Sequence, residues 1–139
     1  MINRRQALKA AAAALPLNNA MHAYPAPQEP LKRIALMTQE LPVLDGANLE
    51  VTVQRLEYAP GGTSGAHRHN GCTFVYVLEG AVVAKIDDGP EKVYKPGEMF
   101  YEPPLHLHSV SRNASQRELA KFLVFRVIEK GKPATVPAP

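Results

Sequence analysis

The sequence is poor in several features that define other classes of protein. Its 139 residues contain one cysteine and no tryptophan, and only 6% are aromatic. A single cysteine excludes an intrachain disulfide, so the fold has to be stabilised by an apolar core or by subunit pairing. No apolar run reaches the roughly 20 residues that a membrane-spanning helix needs. We therefore expect no stable insertion into a membrane.

Basic runs are also absent. The chain has 16 Lys and Arg against 13 Asp and Glu, but Arg4, Arg5 and Lys9 lie close to the N-terminus. Without these three, 13 basic residues face 13 acidic ones. Basic and aromatic residues are not interleaved as they are in RNA-binding proteins. The sequence therefore predicts no nucleic-acid partner.

Residues 1–23 have the organisation of an export signal. A basic start with Arg4 and Arg5 precedes the short apolar stretch Ala10 to Leu17, and small or polar residues complete the segment. This is the order of a cleaved signal peptide. The paired arginines resemble a twin-arginine signal; a Sec signal, an alanine-rich helix and a basic tail are the alternatives. We expect a mature protein that begins near Tyr24 and is periplasmic or secreted.

The rest of the chain is predicted to be one small all-β domain. Residues 24–30 are a Pro-rich linker, residues 31–130 are the domain, and residues 131–139, with three prolines, are predicted to be a flexible tail. No segment after the leader has a sustained helical period. Turn residues separate short strand-like runs, which are residues 31–38, 48–59, 73–79, 81–87, 91–95, 98–102, 106–112 and 119–128.

One of these runs changes its alternation. In residues 48–59 the apolar positions shift phase between Val53 and Leu56. Such a shift predicts a bulge or a barrel corner, because a slip of one residue turns every side chain to the other face. Many short strands at this spacing predict an antiparallel sandwich or barrel.

Four of the five histidines occur in two copies of one spacing, His67-Arg68-His69 and His106-Leu107-His108. Residues i and i+2 of a strand project from the same face, so each pair presents two imidazoles to one point. Imidazole nitrogens are common ligands of transition metals. The pairs therefore indicate a metal site built on strands.

Two longer segments resemble the signature motifs of the cupin superfamily. The first runs from Gly61 to Gly80 and contains the first histidine pair, and the second runs from Pro96 to Asn113 and contains the other pair. The resemblance covers residues 49–127 and implies a single-domain cupin double-stranded β-helix, a jelly-roll barrel. It also implies a divalent transition metal, with Fe or Mn expected and Zn, Ni or Cu as alternatives. Carried over position by position, it makes three residues the metal ligands: His67, His69 and His108.

The chain departs from this pattern at two positions. Thr73 stands where the first motif usually has a glutamate ligand, and Leu105 where the second usually has glycine. A hydroxyl is a poorer ligand for a divalent metal than a carboxylate. We therefore expect a three-histidine site, with Thr73 lining the cavity and binding water or substrate. Glu102 is either a replacement for the missing glutamate or a solvated side chain, and His106 competes with His108, which the motif spacing favours.

Alternation after the first histidine pair predicts an apolar outer face. Thr73, Val75 and Val77 share one face and point inward, whereas Phe74, Tyr76 and Leu78 point outward. A row of exposed apolar side chains is unusual on a monomer. We expect a second subunit to cover it, which makes the protein a homodimer; packing against residues 31–38 is the alternative.

The resemblance favours a mononuclear metal enzyme. Three histidines leave positions open for dioxygen or a chelating substrate, so the leading hypothesis is a dioxygenase or related oxidoreductase acting on a small enol, phenol or flavonol. Glu102 or Tyr101 would handle a proton. The alternative is a non-catalytic cupin that binds or senses a small molecule or metal. A sugar or keto-acid isomerase is less favoured, because no arginine or lysine is evident that would hold an anionic substrate inside the barrel.

Overall fold

The computed structural model describes residues 30–40 and 48–138, with side chains described for all of these except residues 37–40. The predicted signal peptide, residues 1–23, and all but the last residue of the predicted linker, residues 24–30, lie outside the described residues. The described part contains no helix that could cross a membrane. It forms eleven strands: β1 Leu31–Glu40, β2 Leu49–Tyr58, β3 Thr63–Ser64, β4 His67–His69, β5 Cys72–Glu79, β6 Val82–Ile86, β7 Lys92–Tyr94, β8 Met99–Glu102, β9 His108–Asn113, β10 Ala120–Glu129 and β11 Thr135–Pro137.

The strands form two sheets of antiparallel pairs. The five-stranded sheet has the order β1-β2-β10-β5-β8, and the six-stranded sheet has the order β11-β4-β9-β6-β7, with β3 beside β9. Strands far apart in the chain are neighbours, such as β2 with β10 and β4 with β9. These crossovers are typical of a jelly roll. The predicted all-β jelly-roll barrel is confirmed.

Alternation along β10 shows how the strands build the interior. Every second residue of β10 is buried and faces the other sheet, and this inward set is Ala120, Phe122, Val124, Arg126 and Ile128. The apolar core combines part of this set with Leu56, Tyr58, Val75, Val77 and Val82. Further along, Arg126 pairs with Thr73 of β5, and both are buried. The same strands therefore contribute apolar side chains to one part of the barrel interior and polar side chains to another part.

The change of phase in β2 coincides with a bulge, one of the two causes predicted. β2 pairs with β10 along its whole length without a register shift. Its pairing with β1 shifts register between Ala35 and Met37, opposite Gln54 and Val53, so the bulge lies in the β1–β2 pair. Leu56 is an inward residue opposite Phe122, whereas Val53 lies opposite Phe125, an outward residue. Two polar residues of β2 also lie opposite inward residues of β10: Gln54 opposite Val124, and Thr52 opposite Arg126. The phase change therefore marks the place where the barrel interior becomes polar.

The C-terminal segment differs from the predicted flexible tail. Within residues 131–139, Thr135–Pro137 forms β11 and pairs antiparallel with β4. Its β-branched residues suit a strand, and the edge of β4 offers unpaired backbone groups. The side-chain amide of Asn70 also donates to the carbonyl oxygen of Pro133 at 2.7 Å. The end of the chain therefore covers the edge of the strand that carries the first histidine pair.

The predicted apolar outer face is present on β5 and β8. Phe74 is 38% exposed and Leu78 41% exposed, and Met99 and Tyr101 extend the same surface. β1 lies beside β2 in the same sheet, and both β2 and β10 lie between it and β5, so residues 31–38 do not cover this face. The homodimer remains a prediction.

Candidate metal centre

Three histidines meet inside the barrel. His67 and His69 project from the same face of β4, and His108, the first residue of β9, pairs directly with His67. The ring of His67 lies 4.7 Å from that of His69 and 5.1 Å from that of His108, between centroids. Each histidine offers one ring nitrogen, and these nitrogens lie within 4.8 Å of one another. The structure therefore brings together the three residues predicted to be metal ligands.

Backbone carbonyls determine the tautomers of the two β4 histidines. Nδ1 of His67 lies 2.7 Å from the carbonyl oxygen of Gly65, and Nδ1 of His69 lies 3.2 Å from that of Ala134. A carbonyl oxygen can only accept, so each Nδ1 carries a proton and donates it. Each Nε2 then presents a lone pair, and the two Nε2 atoms are 3.2 Å apart. Metal-binding histidines are commonly oriented in this way.

The surroundings of His67 favour the charge state that metal binding needs. Burial lowers the pKa of His67 below its ordinary value, and the nearby rings of His69 and His108 act in the same direction. A neutral imidazole is the form that binds a metal ion. His108 is 3% exposed, its Nδ1 lies 3.1 Å from Oε1 of Glu102, and its Nε2 has no hydrogen-bond partner among the described residues. A buried nitrogen without a partner is rare in proteins, and a bound ion is one explanation for it.

Glu102 supplies a carboxylate beside the histidines. It is the direct cross-strand partner of Thr73, so the acidic group absent from β5 is present at the same level on β8. Glu102 is 4% exposed, and its Oε2 lies 2.9 Å from Nε2 of His69. Its Oε1 lies 3.1 Å from Nδ1 of His108. Burial raises the pKa of Glu102, but contacts with His108 and His69 outweigh this and lower the pKa to about 2. The side chain is therefore an ionised, buried carboxylate and not a solvated one.

The donor atoms of this cluster are arranged so that they can share a cation. Nε2 of His67, Nε2 of His69 and Oε2 of Glu102 all bear lone pairs, and Oε2 lies at hydrogen-bond distance from Nε2 of His69. Two acceptors 2.9 Å apart repel each other unless a proton or a metal ion lies between them. A proton satisfies one pair, whereas a metal ion satisfies all three atoms. Donor atoms at roughly 2.0–2.2 Å from one ion lie about 3 Å from each other. Nε2 of His69 lies 3.2 Å from Nε2 of His67 and 2.9 Å from Oε2 of Glu102.

Tyr101 does not reach this cluster. The alternation that turns Glu102 inward turns Tyr101 outward, where its hydroxyl donates to Sγ of Cys72 at 3.4 Å and its ring stacks on Phe74. This corrects the prediction that Tyr101 handles a proton at the site.

His106 also lies away from the cluster. Its Nδ1 pairs with the carboxylate of Asp87 at the surface, and Asp87 further accepts from the backbone N–H of Leu107 at 2.8 Å. Leu105 has a φ of 64°, so the chain turns sharply before β9 begins. The choice between the two histidines of the second pair is thereby settled geometrically: His108 faces the other two histidines, and His106 does not.

Sequence reasoning missed two large polar residues of the interior. Tyr58 is 1% exposed, and its hydroxyl lies 2.7 Å from Oγ of Ser111 and 3.0 Å from Oγ of Ser64. Arg126 is 8% exposed and lies opposite Thr73. Arg126 occupies an inward position of β10, whose regular alternation was the signal that could have found it. The phase change in β2 obscured this signal for Tyr58. Arg126 also corrects the expectation that no arginine lies inside the barrel.

The three clustered histidines, Glu102, Tyr58 and Arg126 line one cavity of about 230 Å³. Thr73 is fully buried and lines it, as predicted. The histidine and carboxylate cluster forms one part of its wall, the Tyr58 hydroxyl another, and apolar side chains such as Phe100 and Val124 complete it. The cavity can therefore hold a small ligand in contact with the metal-binding groups.

Comparisons with known proteins agree with this fold. A family model described as the cupin domain matches residues 54–126. A comparison with curated proteins finds no match. Similar solved structures include oxalate oxidase in complex with the substrate analogue glycolate, which is 24% identical with a TM-score of 0.53, over 62% of this chain and 45% of that chain. DMSP lyase DddQ from Ruegeria pomeroyi is 16% identical with a TM-score of 0.58, over 76% of this chain and 50% of that chain.

A third similar structure matches along more of its length. The RmlC-like cupin from Shewanella frigidimarina is 23% identical with a TM-score of 0.55, over 73% of this chain and 79% of that chain. The chain spans about half the length of the oxalate oxidase and of the lyase. At these identities the similarity shows a common fold. Because the family match also covers more than half of the sequence, the chain belongs to the cupin superfamily.

Proposed function

We propose that this protein is a mononuclear metal-dependent oxidoreductase of the dioxygenase type that acts on a small chelating substrate. The observation that carries the proposal is the position of Nε2 of His69, which lies 3.2 Å from Nε2 of His67 and 2.9 Å from Oε2 of Glu102. His108 completes the set. We assign Glu102 to the ligand set, in place of the three-histidine site that the sequence favours, because its buried Oε2 has no other partner among the described residues.

The donor set fits a first-row transition metal. Imidazole and carboxylate donors suit iron and manganese, and also zinc, nickel and copper, and affinity alone would favour copper or zinc over iron or manganese. The metal acquired therefore depends on which ions are available where the chain folds. A bound iron or manganese ion would supply Lewis acidity and a redox centre for dioxygen and substrate.

Tyr58 is the side chain best placed to hold a proton for the reaction. Burial raises the pKa of Tyr58, so its hydroxyl stays protonated at neutral pH. The hydroxyl lines the cavity and also contacts Oγ of Ser111 at 2.7 Å. It can therefore donate a hydrogen bond to a substrate oxygen while Ser111 holds the ring in place.

The size of the cavity limits the substrate. Its volume of about 230 Å³ is smaller than the roughly 300–1,000 Å³ typical of pockets for drug-sized ligands. A small enol, hydroxy acid or catechol is therefore favoured over a flavonol. The apolar side chains of Leu56, Val75 and Phe122 form part of the wall and exclude water from the reacting groups.

The metal content of purified variants tests the site. We expect one metal ion per subunit in the wild-type protein and in His106→Ala, which removes an exposed histidine that pairs with Asp87. His67→Ala and His69→Ala should lose most of the metal while keeping the far-ultraviolet circular dichroism of the fold. Unchanged metal content in both variants would show that the site is assigned wrongly.

Turnover separates the enzyme from the second candidate, a binding or sensing protein without catalysis. That candidate is favoured by one observation, the loss of the motif glutamate at Thr73. Dioxygen uptake should be measured on iron-loaded and manganese-loaded protein with enediol, hydroxy-acid and catechol substrates. Uptake that disappears in His69→Ala supports the enzyme. Stoichiometric metal without uptake on any of them supports the binding protein.

A further inference from the structure

We infer that the cavity binds its ligand as an anion: Arg126 on the inner wall, assisted by Arg33, holds a small carboxylate whose second oxygen faces the histidine cluster. The inference deepens the proposed function and rests on it in taking this cavity as the ligand site. It names the class of ligand as a small hydroxy, oxo or dicarboxylic acid.

The position of Arg126 follows from the strand register. Thr52, Arg126, Thr73 and Glu102 are direct partners in one row across β2, β10, β5 and β8. Neighbouring strands are about 4.8 Å apart, so the backbones of Arg126 and Glu102 are separated by roughly 10 Å. The residue between them, Thr73, is small. The guanidinium group and the metal-binding cluster therefore line the same cavity from adjacent parts of its wall.

Arg126 has donors that the protein does not use. Its Nη1 donates to Oε1 of Gln54 at 2.8 Å, but its Nε is buried without a hydrogen-bond partner. Within the described part of the chain, no carboxylate lies within ion-pair distance of it. A buried charge without a counterion is costly, and the guanidinium fork matches a carboxylate with two parallel hydrogen bonds. A carboxylate ligand would supply both the charge and the acceptors.

The charges that line the cavity also favour an anionic ligand. Arg126 and Arg33 line it with positive charge, against the single carboxylate of Glu102. Burial lowers the pKa of Arg126, the charge of Glu102 partly opposes this, and repulsion from Arg33 lowers the pKa further. Arginine nevertheless stays protonated at neutral pH. An anion relieves the repulsion between the two arginines, whereas a neutral phenol leaves Arg126 unpaired.

Calorimetric titration with lactate, pyruvate and the neutral analogue lactamide tests the inference. Each is titrated into metal-free and metal-loaded protein, and the metal content of the same samples is measured. We expect lactate or pyruvate to bind at least about tenfold more tightly than lactamide, because a charge-assisted hydrogen bond exceeds a neutral one by about that factor. Equal binding of lactate and lactamide, or no binding of either acid, would overturn the inference.

Variants assign the effect to Arg126. Arg126→Met keeps an unbranched side chain and removes the guanidinium charge, and it should weaken lactate binding roughly 10- to 100-fold with metal content unchanged. Arg126→Lys should retain part of the affinity. The control is Arg112→Met, which removes an exposed arginine that pairs with Glu91. Wild-type lactate affinity in a folded Arg126→Met protein would assign Arg126 a structural role with Gln54 and overturn the inference.

The two proposals fail separately. Stoichiometric metal without a preference for the acids refutes the anion site alone. Lactate binding that depends on Arg126 in a protein that takes up no metal refutes the metal enzyme alone. If Arg126→Met does not fold, the comparison of lactate with lactamide on the wild-type protein still tests whether the cavity prefers an anion.

Discussion

Replacing Glu102 with glutamine separates two roles that its position allows: metal ligand, or hydrogen-bond support for His69 and His108. The substitution keeps the shape of the side chain and removes the charge. In the metal-free protein the amide N–H₂ of glutamine can donate to Nε2 of His69 across the present 2.9 Å contact. We therefore expect Glu102→Gln to fold and to melt within a few degrees of the wild type.

Metal binding by Glu102→Gln should fall strongly if the carboxylate is a ligand. A charge-assisted contact is worth about 1.5–3 kcal/mol, which corresponds to a roughly 10- to 150-fold higher Kd. Competition with a chromophoric chelator measures this Kd, with His69→Ala as the reference for a lost ligand. Glu91→Gln, which removes an exposed carboxylate paired with Arg112, is the control and should bind like the wild type.

One result would refute this reasoning. If Glu102→Gln binds metal within roughly threefold of the wild type while His69→Ala does not bind, the site uses three histidines, as the sequence favours. Glu102 would then act on the histidines from outside the ligand set.

Three further predictions concern other parts of the chain. Deleting residues 134–139 should weaken metal binding roughly 10- to 100-fold, measured by the same chelator competition, because the Ala134 carbonyl that orients Nδ1 of His69 is lost. Leu78→Lys on the exposed outer face should convert a dimer to a monomer in light scattering; a wild-type monomer would contradict the predicted pairing. Replacing Arg4 and Arg5 with lysine should retain the protein in the cytoplasm if export uses the twin-arginine route, and mass spectrometry of the exported protein should find the leader removed.

The sequence predicted what depends on local spacing. His67 and His69 share a face because they are two residues apart, and the same alternation places Thr73 inside and Phe74 outside. The position of Glu102 depends instead on the register between β5 and β8. A slip of one residue would turn Tyr101 inward in its place, so sequence reasoning named both residues for the same role.

The C-terminal strand could not be predicted for a similar reason. Its few residues carry a weak strand signal, and its stability comes from the edge of β4, which is distant in sequence. Composition indicated a tail because prolines are frequent there. The tertiary contact with β4 outweighs this local preference, and the backbone carbonyl of Ala134 contacts Nδ1 of His69.

The absence of the motif glutamate explains why Arg126 has no carboxylate partner among the described residues. A glutamate at position 73 would be the direct cross-strand partner of Arg126, with Cβ atoms roughly 4.5–5.5 Å apart, and the two would form an ion pair. The side chain of Thr73 is uncharged and too short to form an ion pair with Arg126. The Nε of Arg126 therefore has no partner among the described residues. The carboxylate on β8 lies one strand further away, where it contacts His69 and His108. In the proposed site, an acidic group one strand further from Arg126 would therefore serve as a charged metal ligand and leave the arginine available for an anion in the same cavity.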